Sequence, residues 1–133
     1  MLHATGQLKG FALIPYFHLI RNMETNTALE ALAALAHAVR LAVFRLLMQA
    51  GPEGLPAGRI AELLDMPASS LSFHLKELHR AKLLASRQEG RSIIYMAHFE
   101  TMNALLGYLT QNCCGGVPCT PVSSCNVVAE SNQ

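Results

Sequence analysis

The sequence predicts a mainly α-helical domain carrying one small β-hairpin, an α+β fold that is dimeric. Three observations carry this expectation. Leu71, Leu75 and Leu78 recur at helical spacing directly after a Met66-Pro67 break, and a second short helical pattern precedes that break. Two short runs, Leu83-Leu-Ala-Ser-Arg-Gln88 and Ser92-Ile-Ile-Tyr-Met-Ala97, read as strands on either side of Glu89-Gly90-Arg91. The 133-residue chain is 51% hydrophobic but only 14% charged, more apolar surface than one small core needs, so a second copy is expected to cover the remainder.

Residues 1–24 are read as an extension outside the domain. Their apolar run Phe11-Ala-Leu-Ile-Pro-Tyr-Phe-His-Leu-Ile20 is too short to span a bilayer and is interrupted by Pro15 and His18. No small-x-small cleavage pattern follows it. Met23 offers an alternative start, and the rival reading is a helix that packs on the dimer. The domain is assigned to residues 25–112. Thr27-Ala-Leu-Glu30 has the capping-box pattern and is expected to open the first helix. Leu32, Leu35, Ala36, Val39, Val43, Leu46 and Leu47 then form an apolar series at steps of three and four, with a joint at His37-Ala-Val-Arg40. Gly51-Pro52-Glu53-Gly54 ends this helical stretch, and Leu55 begins a very short strand.

Ala57-Gly-Arg-Ile-Ala-Glu-Leu-Leu-Asp65 is expected to be a short helix with Ile60, Leu63 and Leu64 inward. Pro67 cannot continue it but can open the next helix, which runs to about Lys82. Two helices across so tight a turn form a helix-turn-helix, whose second helix enters the major groove of DNA. Opposite its leucine stripe lie Ser69, Phe73, Lys76 and Arg80, with Ser70 and Ser72 beside them. Hydroxyls and cations bond phosphate oxygens and base edges. Leu83-Leu-Ala-Ser-Arg-Gln88 and Ser92-Ile-Ile-Tyr-Met-Ala97 make the hairpin, a wing with Arg87 and Arg91 near its tip. The formal net charge is only +1, so binding to a polyanion rests on a local patch. From Lys76 to Arg91 five cations face two acids, and a dimer doubles that patch. Phe99 to Asn112 is the last helix, with Met102, Leu105, Leu106 and Leu109 as its apolar stripe.

All four cysteines lie in the tail, residues 113–133. Without a secretory signal a reducing cytoplasm is expected, where clustered thiols bind soft ions or sense redox state. Cys113 and Cys114 would diverge within a regular helix. Gly115 and Gly116 allow the helix to end and the chain to turn back, and Pro118 stiffens the return of Cys119. Three thiolates without a nearby histidine suit a pyramidal ion such as trivalent arsenic or antimony. A structural zinc site takes four ligands, and Cys125 is available as a fourth, which keeps zinc or cadmium open. A thiol redox switch and an inert tail are the remaining readings; a Cys113–Cys114 disulfide would be strained.

Residues 27–111 resemble the winged-helix metal-responsive repressors of the ArsR–SmtB family. The resemblance rests on Leu35-Ala-His-Ala-Val-Arg40-Leu41 with Leu46-Leu47, on Ser72-Phe-His74-Leu75-Lys76-Glu-Leu78 with Ala81, and on Glu89-Gly90-Arg91 with Tyr95. It implies a homodimer built from the first and last helices, double-stranded operator DNA as partner, and repression relieved by an inducer. The Cys-x-Cys that some members carry near the helix-turn-helix is replaced here by Leu63-Leu-Asp-Met66. Of the carboxylate and histidine zinc site found on the last helix of others, only His98 and Glu100 are nearby. His74 matches the family histidine and is expected to be packed and hydrogen-bonded rather than a ligand. The tail also resembles arsenic-responsive members with a Cys-Cys pair and a third cysteine: Cys113, Cys114 and Cys119 match, and Cys125 has no clear counterpart.

An enzyme reading finds no support in the residues. An arsenate reductase or phosphatase needs a cysteine cradled by backbone amides with an arginine close behind, and no arginine follows Cys113, Cys114 or Cys119. A protein-interaction module on the same scaffold is disfavoured because the Ser69, Phe73, Lys76, Arg80 face is largely polar. The expectation is therefore a DNA-binding repressor, not an enzyme, that neither spans nor binds a membrane.

Overall fold

A computed structural model of the chain describes residues 23–116. Among these residues five α-helices and a three-stranded antiparallel sheet form a winged helix-turn-helix. The order is α1 (Thr25–Leu35), α2 (Ala38–Ala50), a 3-10 turn (Gly51–Glu53), β1 (Leu55–Pro56), α3 (Ala57–Leu63), α4 (Ala68–Arg80), β2 (Leu84–Glu89), β3 (Ser92–Ala97) and α5 (Phe99–Leu109). The sheet runs β1-β3-β2, with Leu55 opposite Tyr95 and Arg87 opposite Ile94. No single helix among the described residues is long and apolar enough to cross a membrane. The run Phe11–Ile20 lies outside the described residues.

The core gathers Val43 and Leu47 from α2, Ile60 from α3, Leu71 and Leu78 from α4, and Leu83, all essentially inaccessible to solvent. Each such leucine or isoleucine stabilises the fold by roughly 2 kcal/mol relative to an exposed one. The Leu71, Leu75, Leu78 stripe is buried as its spacing predicts. Inward assignments on three other helices change. On α1 the buried residues are Ala28, Ala31 and Ala34, whereas Leu29 and Leu32 are exposed and Leu35 is half-buried. Small side chains let α1 approach the core closely, and its leucines are left for the outside. On α3, Ala61 rather than Leu63 accompanies Ile60 inward, and Leu63 is 46% exposed. On α5 only Leu105 of the predicted stripe is fully buried, together with Thr101; Leu106 and Leu109 face solvent.

The capping box is not used. Helix α1 begins before it, with Glu24 at the cap and no side-chain cap bond. A tertiary contact fixes the first turn instead: the Thr25 and Tyr108 hydroxyls are 2.7 Å apart and join α1 to α5. The joint at His37 is as expected. The His37 Nδ1 accepts from the Val39 N–H and caps α2, and Arg40 donates from Nε to the Ala34 carbonyl at 2.6 Å, closing the end of α1.

Two left-handed residues frame the helix-turn-helix. After α3, Asp65 (φ 49°) lets its N–H reach the Glu62 carbonyl and the Met66 N–H the Ala61 carbonyl. After α4, Lys82 (φ 60°) does the same for His79, and the Leu83 N–H reaches Leu78. These paired bonds satisfy carbonyls that a helix end would otherwise leave open. The turn before α4 is thus set by Asp65 as well as by Pro67.

Candidate nucleic-acid interface and cysteine segment

The outward face of α4 presents Ser69, Ser70, Ser72, Phe73, Lys76 and Arg80, all exposed. The reason is periodicity: each lies off the leucine stripe that holds the helix to the core. Ser72 spends its hydroxyl on its own helix, donating to the Ala68 carbonyl at 3.0 Å. Arg80 pairs with Glu77 at 2.9 Å, but its side chain is 77% exposed, so the pair is a weak restraint. Lys76 has no ion pair among the described residues. Between α4 and the hairpin lies an open groove of about 540 Å³, with Ser72, Lys76 and Arg80 on the helix side and Ser86 and Ile93 on the other. Cations and hydroxyls so placed on one concave side are suited to a phosphate backbone.

The two wing arginines differ. Arg91 occupies the turn beside Gly90 (φ 61°) and is exposed, with no ion pair among the described residues. Arg87 is engaged: its Nη2 donates to the Glu53 carbonyl at 2.8 Å, its Nη1 to the Pro52 carbonyl at 3.3 Å, and its Nε to Glu89 at 2.9 Å. It fastens the hairpin to the turn that follows α2. Sequence spacing gave no sign of this role, because the carbonyls belong to residues far away in the chain.

His74 is packed but not hydrogen-bonded as expected. Its Nδ1 is buried without a partner among the described residues. Its ring lies against His37, centroids 4.7 Å apart, and meets Phe73 edge-on at 5.7 Å. Burial first, then the nearby His37 and Arg40, push its pKa below the ordinary histidine value, so the ring is neutral near pH 7. His98 serves as the cap of α5, its Nδ1 accepting from the Thr101 N–H and lying 2.7 Å from the Thr101 hydroxyl. That role, rather than metal binding, accounts for its position. Among the described residues no group of three or more histidine, cysteine or carboxylate side chains could hold a metal ion.

Beyond α5 the backbone breaks within a few residues. Asn112 (φ 55°), Cys114 (φ 54°) and Gly115 (φ 67°) are left-handed, and the Cys113 N–H bonds the Thr110 carbonyl. The helix therefore ends before the cysteine pair, and the divergence that a regular helix would impose on Cys113 and Cys114 does not apply. Cys113 is a free, exposed thiol. Cys114 is disulfide-bonded. Cys119 and Cys125 lie outside the described residues, so the three-sulfur set is not assembled among them.

Residues 35–87 match the family model described as a helix-turn-helix domain. Among solved structures, HlyU from Vibrio cholerae is 30% identical at a TM-score of 0.52, over 65% of this chain and 97% of that one. Reduced HlyU from the same organism is 26% identical at 0.52, over 68% and 92%. An ArsR-like transcriptional regulator from Rhodococcus is 25% identical at 0.57, over 63% and 76%. No curated protein matches the chain by sequence.

Proposed function

The chain belongs to the ArsR–SmtB family of winged-helix transcription regulators, and from that premise we propose that it is a homodimeric repressor that releases its operator when trivalent arsenic or antimony joins Cys113, Cys114 and Cys119. One observation carries the inducer assignment: the free, exposed thiol of Cys113 and the adjoining Cys114 lie just past Asn112, beyond the end of α5, on backbone freed from helical geometry. Soft thiolates favour such ions over hard ones. With the disulfide at Cys114 reduced, the thiolates of Cys113, Cys114 and Cys119 would make a suitable donor set for such an ion, and an ion held there would tie the chain just past Asn112. Helix α5 is joined to α1 through Thr25 and Tyr108, so a constraint at its end bears on the surface proposed to hold the two copies together. Weakening operator binding a hundredfold needs about 2.7 kcal/mol of coupling between the sites. The test is release of labelled operator titrated with arsenite, antimonite, zinc and cadmium. Release by zinc or cadmium alone would overturn the assignment.

The proposed DNA surface comprises Ser69, Ser70, Ser72, Phe73, Lys76 and Arg80 of α4 and Arg91 of the wing, a reading supported by their exposure. Arg87 contributes there chiefly by holding the hairpin in place. Lys76→Ala and Arg91→Ala are each expected to weaken operator binding and to lower the salt slope by about one, as loss of a phosphate contact does. Unchanged affinity and slope in both would move the surface elsewhere. The homodimer is supported by the exposed leucines of α1 and α5, Leu29 at 57% and Leu109 at 54%. Sedimentation is expected to give a dimer at micromolar concentration without DNA, and Leu29→Glu together with Leu109→Glu a monomer of unchanged helix content. A parent that sediments only as monomer would refute the assembly.

A second reading is favoured by one observation, the disulfide at Cys114. A thiol redox switch would use the same segment, and the reduced form of HlyU is among the similar structures. Operator release that requires oxidant, and that excess reductant abolishes, would select this reading over the arsenic one.

A further inference from the structure

Phe73 is the largest apolar group on the outward face of α4 and is 58% exposed. It lies between the buried Leu71 and Leu75 in sequence and therefore opposite them on the helix. Its neighbours one turn away are Ser69, Ser70 and Lys76, all exposed, and the half-buried Glu77, whose carboxylate is paired with Arg80. An apolar ring inside a rim of hydroxyls and a cation is a poor core for a protein interface, which would be more continuously apolar. It suits a polyanion that offers one small apolar group. In the major groove of duplex DNA that group is the thymine C5-methyl.

The ring is also braced. Its edge-on contact with His74 limits its rotation. His74 in turn rests on His37, whose Nδ1 is fixed by the Val39 N–H at the start of α2. A chain of three rings thus connects Phe73 to the body of the domain, which reduces the side-chain freedom to be lost on binding.

We propose that Phe73 is a specificity-determining residue that reads a thymine methyl group in each operator half-site. The proposal rests on the reading that α4 enters the major groove. To test it, the duplex bound most tightly by the full chain is selected from a random pool. Each thymine is then replaced singly by deoxyuridine, which removes only the methyl group. In the parent one position per half-site is expected to lose about fourfold in affinity on replacement, as burial of a single methyl implies. Phe73→Ala is expected to bind thymine and deoxyuridine duplexes equally, and Phe73→Leu to retain most of the preference. Because Phe73 is exposed, both variants should melt like the parent. If no position in the parent's duplex is sensitive to the methyl, or if the sensitivity survives in Phe73→Ala, the proposal is overturned while DNA binding stands. If the parent selects no duplex at all, the DNA-binding reading falls and the proposal with it.

Discussion

Cys113→Ser is expected to bind operator as tightly as the parent and to stay bound at arsenite concentrations that release the parent. Serine is nearly isosteric with cysteine, so the short turn after α5 should survive the change. It does not supply a thiolate, and a hard hydroxyl is a poor ligand for a soft ion. Cys113 is exposed and free, so its replacement breaks no packing and no disulfide. The expected change is loss of the whole arsenite response, roughly a hundredfold in operator affinity at saturating inducer. Cys119→Ser is expected to behave in the same way. Cys125→Ser should respond normally at a three-sulfur site and fail at a four-sulfur, zinc-type one. The measurement is arsenite-driven dissociation of labelled operator under reducing conditions. A parental response in Cys113→Ser would remove the three-thiolate site.

Gly54→Ala is expected to cost roughly 3 kcal/mol of stability or more. Gly54 has φ 68° and ψ −171°, a region that is nearly closed to residues with a Cβ. A Cβ there would also collide with the backbone carbonyl oxygen of Tyr95, in the strand that pairs with β1. Backbone on a paired strand cannot step aside as a flexible side chain can. Gly51 separates the two causes. It has a similar backbone, φ 73° and ψ −161°, but among the described residues no atom beyond its chain neighbours lies within 4 Å of the position its Cβ would take. Gly51→Ala should therefore cost only the conformational part, about 1–2 kcal/mol. Urea unfolding of the two variants decides the matter, and equal losses would mean that β1 does not approach Tyr95 as described. Gly54→Ala should also loosen the hairpin, since Arg87 fastens it to the carbonyls of Pro52 and Glu53 in the same turn.

Much of the interface was legible in the sequence because local rules fix it. The leucine stripe of α4 obeys helical periodicity, and its complement, Ser69, Phe73, Lys76 and Arg80, faces out for the same reason. Gly90 marks the tip of the wing, and Pro67 opens α4. The helix also ends before the cysteine pair, in keeping with the glycines that follow it. The Asp65 turn was less visible, since aspartate adopts a left-handed backbone only when the bonds around it require this.

The sequence by itself determined the helix-turn-helix, the hairpin, and the placement of Cys113 and Cys114 beyond α5. Each follows from spacing or from proline and glycine within a few residues. Only the tertiary structure decided that α1 packs with alanines and exposes its leucines, that Tyr108 rather than a capping box fixes the start of α1, that Arg87 holds the hairpin to a distant turn, and that His74 lies on His37. Periodicity identifies an apolar stripe, but the space available at the core decides which part of it goes inside. A polar side chain likewise takes the partner that the fold brings within hydrogen-bond reach, and for these residues that partner lies too far along the chain for spacing to reveal it.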